Sequence, residues 1–191
     1  MSFTSLKLSP QIIQALKKQN FQEPTPIQEK VIPLVFEKND IMAKAKTGSG
    51  KSASYILPIL DMIAKSRDSK KAKIKALILT PTRELTLQVS EMIKEFGQFL
   101  HVEPKVASII GGEGIGDQLY KIQQGCDILV ATSGRFLDVL SKKQTNLSHI
   151  EFFVLDEADK MLNLGFAEEL SQILEAIPTS RQNLLFSATF P

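Results

Sequence analysis

Residues 40–60 read DIMAKAKTGSGKSASYILPIL, and this stretch decides the reading of the whole chain. An apolar strand-like run, DIMAKA (40–45), passes into a glycine-rich loop. A helix-period segment then opens at Lys51 and runs through Tyr55 to about Ala64. Strand, glycine loop and helix in that order make a cradle for phosphate. Gly48 and Gly50 let the backbone curl so that successive N–H groups point at phosphate oxygens. The helix N-terminus adds a partial positive charge. Ala45-Lys-Thr-Gly-Ser-Gly-Lys51-Ser52 fits the Walker A pattern, with Ala45 in place of the first glycine. Ala45, Lys46, Thr47, Gly48, Ser49, Gly50, Lys51 and Ser52 are therefore the expected nucleotide cradle. Lys51 is expected to reach the β- and γ-phosphates and the Ser52 hydroxyl to ligate Mg²⁺.

Outward from this loop, apolar runs alternate with helix-period segments. Candidate strands are KALILT (75–80), PKVASII (104–110), CDILVAT (126–132), FFVLDE (152–157) and NLLFSAT (183–189). They are continuously apolar, as strands buried on both faces are. Helices are predicted over about 10–19, 26–36, 83–99, 114–123, 134–142 and 167–176. Ser9 and Pro10 supply an N-cap and an N1 proline for the first of them. Pro33 and Pro58 fall inside helical patterns and predict kinks. Alternating strands and helices imply an α/β fold, a parallel β-sheet sandwiched by helices. Residues 1–36 read as an N-terminal helical region and 37–191 as the core of one domain. The only linker-like segment is SRDSKKAK (66–73). The sequence stops two residues after the last strand, before a helix that would complete the unit, so a fragment cut at a domain boundary is expected.

Composition narrows the classes. Of 191 residues, 43% are hydrophobic and 23% charged, which is ample for a core. A net charge of +2 lacks the basic excess of a protein that grips nucleic acid by charge alone. The basic cluster Lys70–Lys75 reads as a solvated loop. The single Cys126 excludes an internal disulfide and fits a reducing compartment, so a cytoplasmic location is expected. His101 and His149 are too scattered for a zinc site. No apolar run approaches the roughly 20 residues of a membrane span, so no membrane partner is expected.

A second cluster sits in VLDEADKML (154–162), where Asp156, Glu157 and Asp159 crowd three carboxylates at a strand end. In P-loop ATPases a second strand ends in an aspartate that holds Mg²⁺. Asp156 is placed for that role, and Glu157 follows as the group that orients and deprotonates the attacking water. On this reading Lys51, Asp156 and Glu157 carry the chemistry, and Ser52 and Asp156 hold the metal. The positive partner of the carboxylates is then expected outside the stretch, in Mg²⁺ with ATP and in Lys51. Without them, Asp156 or Glu157 is expected to titrate above its ordinary range. The remaining polar motifs, PTREL, TSGR and SAT, also end strands, and ligands of parallel sheets bind beyond those ends.

Together these motifs resemble, in order and over nearly all of the chain, the N-terminal RecA-like domain of DEAD-box ATP-dependent RNA helicases. NFQEPTPIQ (20–28) is similar to the Q motif, with Phe3 at the expected distance upstream. AKTGSGKS (45–52) resembles motif I, PTREL (81–85) motif Ia, GG (111–112) the glycine doublet, TSGR (132–135) motif Ib, DEAD (156–159) motif II and SAT (187–189) motif III. The resemblance implies that Gln28 pairs with the adenine edge and favours ATP, that Phe3 stacks on adenine, and that Phe21 shapes the nucleotide loop with Pro24 and Ile27. It implies that Arg83, Gly111, Gly112, Thr132 and Arg135 face the backbone of RNA, independently of its sequence. It also implies that Ser187 and Thr189 bond to the Asp159 region and couple nucleotide state to RNA. The family works with a second RecA-like domain that supplies arginine fingers, so this chain alone is expected to be monomeric and nearly inactive. Three departures stand out: Lys46 where the family has Gln, Ser133 where it has Pro, and Asn20 where it has Gly. Asn tolerates a left-handed backbone, so the turn at Asn20 is expected to survive, whereas Ser133 is expected to loosen its loop.

Overall fold

The computed structural model describes residues 1–67 and 71–190. Lys70 and the middle of the 66–73 linker lie outside the described residues. A 3-10 turn, Phe3–Leu6, precedes α1 (Pro10–Lys18) and α2 (Pro26–Phe36). The alternating part follows: β1 (Ile41–Lys44), α3 (Lys51–Ser66), β2 (Ala76–Thr80), α4 (Arg83–Gly97), β3 (Val106–Ile109), α5 (Ile115–Gln123), β4 (Ile128–Thr132) and α6 (Ser133–Ser141). The last elements are β5 (Phe152–Leu155), α7 (Ala158–Asn163), α8 (Ala167–Ala176) and β6 (Gln182–Ser187). The six strands form one sheet in the order β1-β6-β5-β2-β4-β3. Every neighbouring pair is parallel.

Strand residues alternate between two apolar layers because successive side chains point to opposite faces. Ile78, Val130, Val154, Leu184 and Phe186 join α1–α4 residues such as Leu16, Ile32, Leu60 and Phe96 on one face. Leu77, Leu79, Leu129, Phe153 and Leu155 meet Phe136, Met161 and Ile173 on the other. β2, β4 and β5 are covered on both faces and carry no polar alternation, whereas the edge strand β1 leaves Met42 and Lys44 exposed.

Local chemistry moves several boundaries. FFVLDE keeps strand geometry only to Leu155. Asp156 N–H still bonds to Leu79 C=O at 3.0 Å, but Glu157 then turns left-handed at φ 55°. The sequence reading had not foreseen α7, whose six residues give too short a window for periodicity. PKVASII shrinks to Val106–Ile109, an edge strand paired on one side only. α2 and α3 run through Pro33 and Pro58 as single helices. Asn20 does adopt φ 61° and closes a Schellman motif, with Phe21 N–H on Leu16 C=O at 2.9 Å and Asn20 N–H on Lys17 C=O at 3.1 Å. Among the described residues no helix is long and apolar enough to cross a membrane.

Candidate nucleotide and nucleic-acid site

The sheet divides the motifs between two halves of its C-terminal edge. The loop after β1, the acidic turn after β5 and the segment after β6 lie in one half, because β1, β6 and β5 are neighbours. The loops after β2, β4 and β3 lie in the other. Strands distant in sequence thus bring the AKTGSGKS, DEAD and SAT motifs to one end of a row and the PTREL, GG and TSGR motifs to the other.

In the first half, Gly48 (φ 81°) and Gly50 (φ 83°) take the left-handed conformations that the phosphate cradle requires. Gly50 is also sterically obligatory: a Cβ there would come within 2.6 Å of Gln28 Nε2. Ser49 Oγ is buried without a partner, and the α3 N-terminus starts at Lys51. Ala45 is buried, whereas Lys46 and Thr47 are exposed. These features fit a bound polyphosphate. Ser52 Oγ donates to Asp156 Oδ2 at 3.5 Å, so one hydroxyl and one carboxylate converge. Among the described residues no cluster of three or more His, Cys, Asp or Glu is placed to hold a metal. That donor set suits Mg²⁺, which uses one or two carboxylates together with phosphate oxygens.

The acidic turn has the expected partner in Lys51 and an unexpected one in Lys160. Lys51 Nζ lies 2.9 Å from Asp156 Oδ1 and 3.3 Å from Glu157 Oε1. Lys160 Nζ lies 2.8 Å from Glu157 Oε2. One positive partner is therefore inside the stretch after all, one helical turn past Glu157. Burial by itself pushes the Glu157 carboxyl up, but the hydrogen bonds and charges of Lys160 and Lys51 outweigh it and hold the group below its ordinary range. The expected rise for Glu157 is overturned, because the carboxylates are already neutralised. Glu157 is the one non-glycine residue of the acidic turn at positive φ, a conformation that costs free energy and aims its carboxylate back at Lys51.

A depressed native pKa adds stability that is complete above the unfolded value of Glu and is lost as pH falls through the native one. Lys160→Ala is expected to raise the Glu157 carboxyl and shrink that acid-side stability. A carboxyl titration by NMR checks it; an unmoved Glu157 would show that Lys51 alone sets its charge.

Tyr55, which the sequence places on the helix without a role, donates its hydroxyl to Asp156 Oδ2 at 2.8 Å. It is fully buried, and burial followed by the Asp156 charge pushes its phenol well above the usual range. Its signal was its place on α3, four residues after Lys51 and so on the same helical face.

Gln28 is also used differently. It is completely buried; its Oε1 accepts the Thr25 N–H at 3.0 Å and its Nε2 donates to the Gly50 C=O at 3.1 Å. The first bond follows from the Thr-x-x-Gln spacing of a helix-capping box. The second ties α2 to the phosphate loop. An adenine reaches this amide only if the Gly50 loop moves. Phe3 is a core residue, 4% exposed, and Phe21 packs edge-on against Phe96 with ring centroids 5.5 Å apart. Phe3 is thus committed to the core, whereas Phe21 keeps 37% of its surface exposed.

Asp159 accepts from Thr189 Oγ1 at 3.0 Å and Thr189 N–H at 3.2 Å. Ser187 Oγ donates to the Thr189 carbonyl and also lies close enough to lower the Asp159 carboxyl. Burial pushes the Asp159 carboxyl up, but the Thr189 bonds, the Lys160 N–H and the Ser187 hydroxyl together outweigh it and hold it below its ordinary range.

In the second half, Arg83 is exposed at the start of α4, where Thr82 Oγ1 accepts the Leu85 N–H at 3.2 Å. Gly112, at φ 85°, lies under the Arg83 guanidinium: a Cβ there would meet Nη1 at 2.6 Å. Gly111 has neither constraint. Thr132 ends β4, in register with Thr80. Arg135 donates from Nε to Gln118 Oε1 at 3.2 Å and from Nη2 to the Glu113 carbonyl.

Ser133 lies in a helix rather than a loop. It is the first residue of α6, 1% exposed, with its hydroxyl buried and unpartnered. Thr132 at ψ 145° already has the conformation that precedes a proline. Ser133→Pro is expected to stabilise the chain by about 0.4–1 kcal/mol. A thermal melt that shows a lower Tm overturns this.

A family model described as DEAD/DEAH box helicase matches residues 25–191. The ATP-dependent RNA helicase DBP10 of Meyerozyma guilliermondii is 45% identical over 190 residues, covering 100% of this chain and 20% of that protein. The DEAD-box ATP-dependent RNA helicase CshA of Streptococcus pneumoniae is 43% identical over 191 residues, covering 100% of this chain and 35% of that protein. The crystal structure of a DEAD box protein from the hyperthermophile Methanococcus jannaschii superposes with a TM-score of 0.92 at 41% identity, covering 100% of this chain and 51% of that one. The chain thus spans a fifth to about a third of those two curated relatives.

Proposed function

The chain belongs to the DEAD/DEAH box helicase family, and from that premise we propose that it is the ATP-binding domain of an RNA-dependent ATPase that locally separates RNA duplexes. One observation carries the reading: a phosphate cradle, a hydroxyl–carboxylate pair and a strained glutamate meet at one end of a sheet edge whose other end presents Arg83, Gly112 and Arg135. Lys51 and the N–H groups of residues 46–52 bind polyphosphate, and Ser52 and Asp156 supply the donors for Mg²⁺. Bound Mg²⁺ would neutralise phosphate charge. Glu157, kept ionised by its cations, takes a proton from water. Arg83, Gly112, Thr132 and Arg135 grip RNA phosphate and 2′-OH groups without reading bases. Asp159, Thr189 and Ser187 link the two ends.

In the full-length protein a second RecA-like domain completes the site with arginine fingers, each worth about 10³–10⁵ in rate. This chain alone is then a monomer that binds nucleotide weakly and barely hydrolyses it, and the cytoplasm is its proposed location. ATP turnover by the full-length protein with RNA, with DNA and with neither tests the proposal. RNA-specific stimulation supports it. Equal or stronger stimulation by DNA favours a DNA helicase or translocase, and binding of RNA without turnover favours a clamp. Robust RNA-stimulated turnover by the 191-residue chain would overturn the requirement for a second domain.

A further inference from the structure

Gln118 is fully buried on α5, yet its amide is among the most connected polar groups of the second half-edge. Nε2 donates to the buried Ile110 carbonyl at 2.7 Å and to Glu113 Oε2 at 3.4 Å. Oε1 accepts the Arg135 Nε–H at 3.2 Å. The Glu113 carbonyl takes a further bond from Arg135 Nη2. One side chain thus joins the loop after β3, which carries Gly111 and Gly112, to the first turn of α6, which carries Arg135 just after Thr132 ends β4. Of the five N–H donors of a guanidinium, these contacts use two, which leaves three for a phosphate. Asp138 is the nearest acid to Nη1, at a loose 3.8 Å.

We propose that Gln118 is a positioning residue for RNA: its amide fixes the Arg135 guanidinium and the Ile110–Glu113 loop as one rigid phosphate-binding unit. The inference rests on the RNA reading of this edge. Two physical points support it. A long arginine side chain has many rotamers, and Gln118 removes that freedom before a ligand arrives. A buried glutamine on the apolar stripe of α5, four residues before Ile122, is costly unless its bonds matter. Arg83, from the start of α4, lies over Gly112 in the loop that Gln118 anchors.

The experiment is an NMR titration of this chain with a uridine decamer, which reads weak affinities, on a double-mutant cycle. Arg135→Lys keeps the charge but lacks the Nε–H that Gln118 accepts. Gln118→Leu removes the acceptor. Each single variant is expected to bind the decamer about two- to tenfold more weakly, with ADP affinity unchanged. The double variant is expected to bind no worse than the weaker single one, because both break the same contact. Gln118→Glu serves if Gln118→Leu fails to fold. Its added carboxylate sits against Arg135, so RNA binding weakens and the slope of log affinity against log salt falls by about 1. Wild-type affinity in the Gln118 variants, or fully additive losses in the double variant, overturns the positioning role. An unperturbed wild-type chain, or wild-type binding by an Arg135→Ala variant, instead overturns the RNA reading of the edge. The two failures are therefore distinguishable.

Discussion

Glu157→Gln is expected to lower RNA-stimulated ATP turnover in the full-length protein by about 10²–10⁴-fold, the usual share of a general base. The substitution keeps the shape and the hydrogen-bonding reach of the side chain and removes only its ability to take a proton. The structure argues for this residue above Asp156. Asp156 is enclosed by Lys51 at 2.9 Å and the Tyr55 hydroxyl at 2.8 Å, so its oxygens are committed to orientation. Glu157 is held ionised, stands at the turn where the edge opens, and occupies a backbone conformation that glycine would adopt more cheaply. Such strain persists where the surrounding structure requires it. Single-turnover measurements separate chemistry from product release. Unchanged turnover with intact RNA binding would remove Glu157 from the chemistry and leave its charge as a counter-ion for Lys51 and Lys160.

Lys51→Met is expected to destabilise the chain by about 3–5 kcal/mol, the usual result of removing one partner of a buried ion pair. Lys51 is 6% exposed and Asp156 not at all, so solvent cannot replace the lost cation. This loss is separate from the loss of nucleotide binding that the same variant must show. Denaturant unfolding measures the first and nucleotide titration the second. A second variant checks the cause. If the cost is an unpaired carboxylate, Lys51→Met combined with Asp156→Asn should recover much of the stability, since no buried charge is then left alone. A double variant no more stable than Lys51→Met would assign the loss to packing at the start of α3. The same geometry makes Lys51 a stand-in for the cation expected at Asp156: the site balances its own charge before nucleotide arrives.

The motifs were legible one by one because each depends on local backbone chemistry. Gly48 and Gly50 must be glycine for a left-handed loop, and the central strands β2, β4 and β5 declare themselves as unbroken apolar runs. What stayed hidden was the use of side chains that act across the fold. Gln28 reads as a free amide in sequence, but its bond to Gly50 exists only because α2 packs against the phosphate loop. Tyr55 reads as a core aromatic until β5 delivers Asp156 to its hydroxyl. Lys160 was within the quoted stretch, and only the short α7, with its three-residue spacing, reveals its pairing with Glu157. Ser133 shows the reverse error. A missing proline reads as a loose loop, whereas burial and helix geometry hold it firmly.

The sequence by itself determined the fold class, the phosphate loop and the order of the motifs, since these follow from apolar periodicity and from the conformational freedom of glycine at fixed positions. The tertiary structure alone decided which charges meet. The β1-β6-β5 and β2-β4-β3 neighbourhoods place the candidate nucleotide and the candidate RNA motifs at opposite ends of one edge. They also bring Lys51 to Asp156 and Gln118 to Arg135. Ion pairing and hydrogen bonding act over a few ångströms, and no spacing along the chain specifies a distance of that size between residues joined only by the crossing of strands.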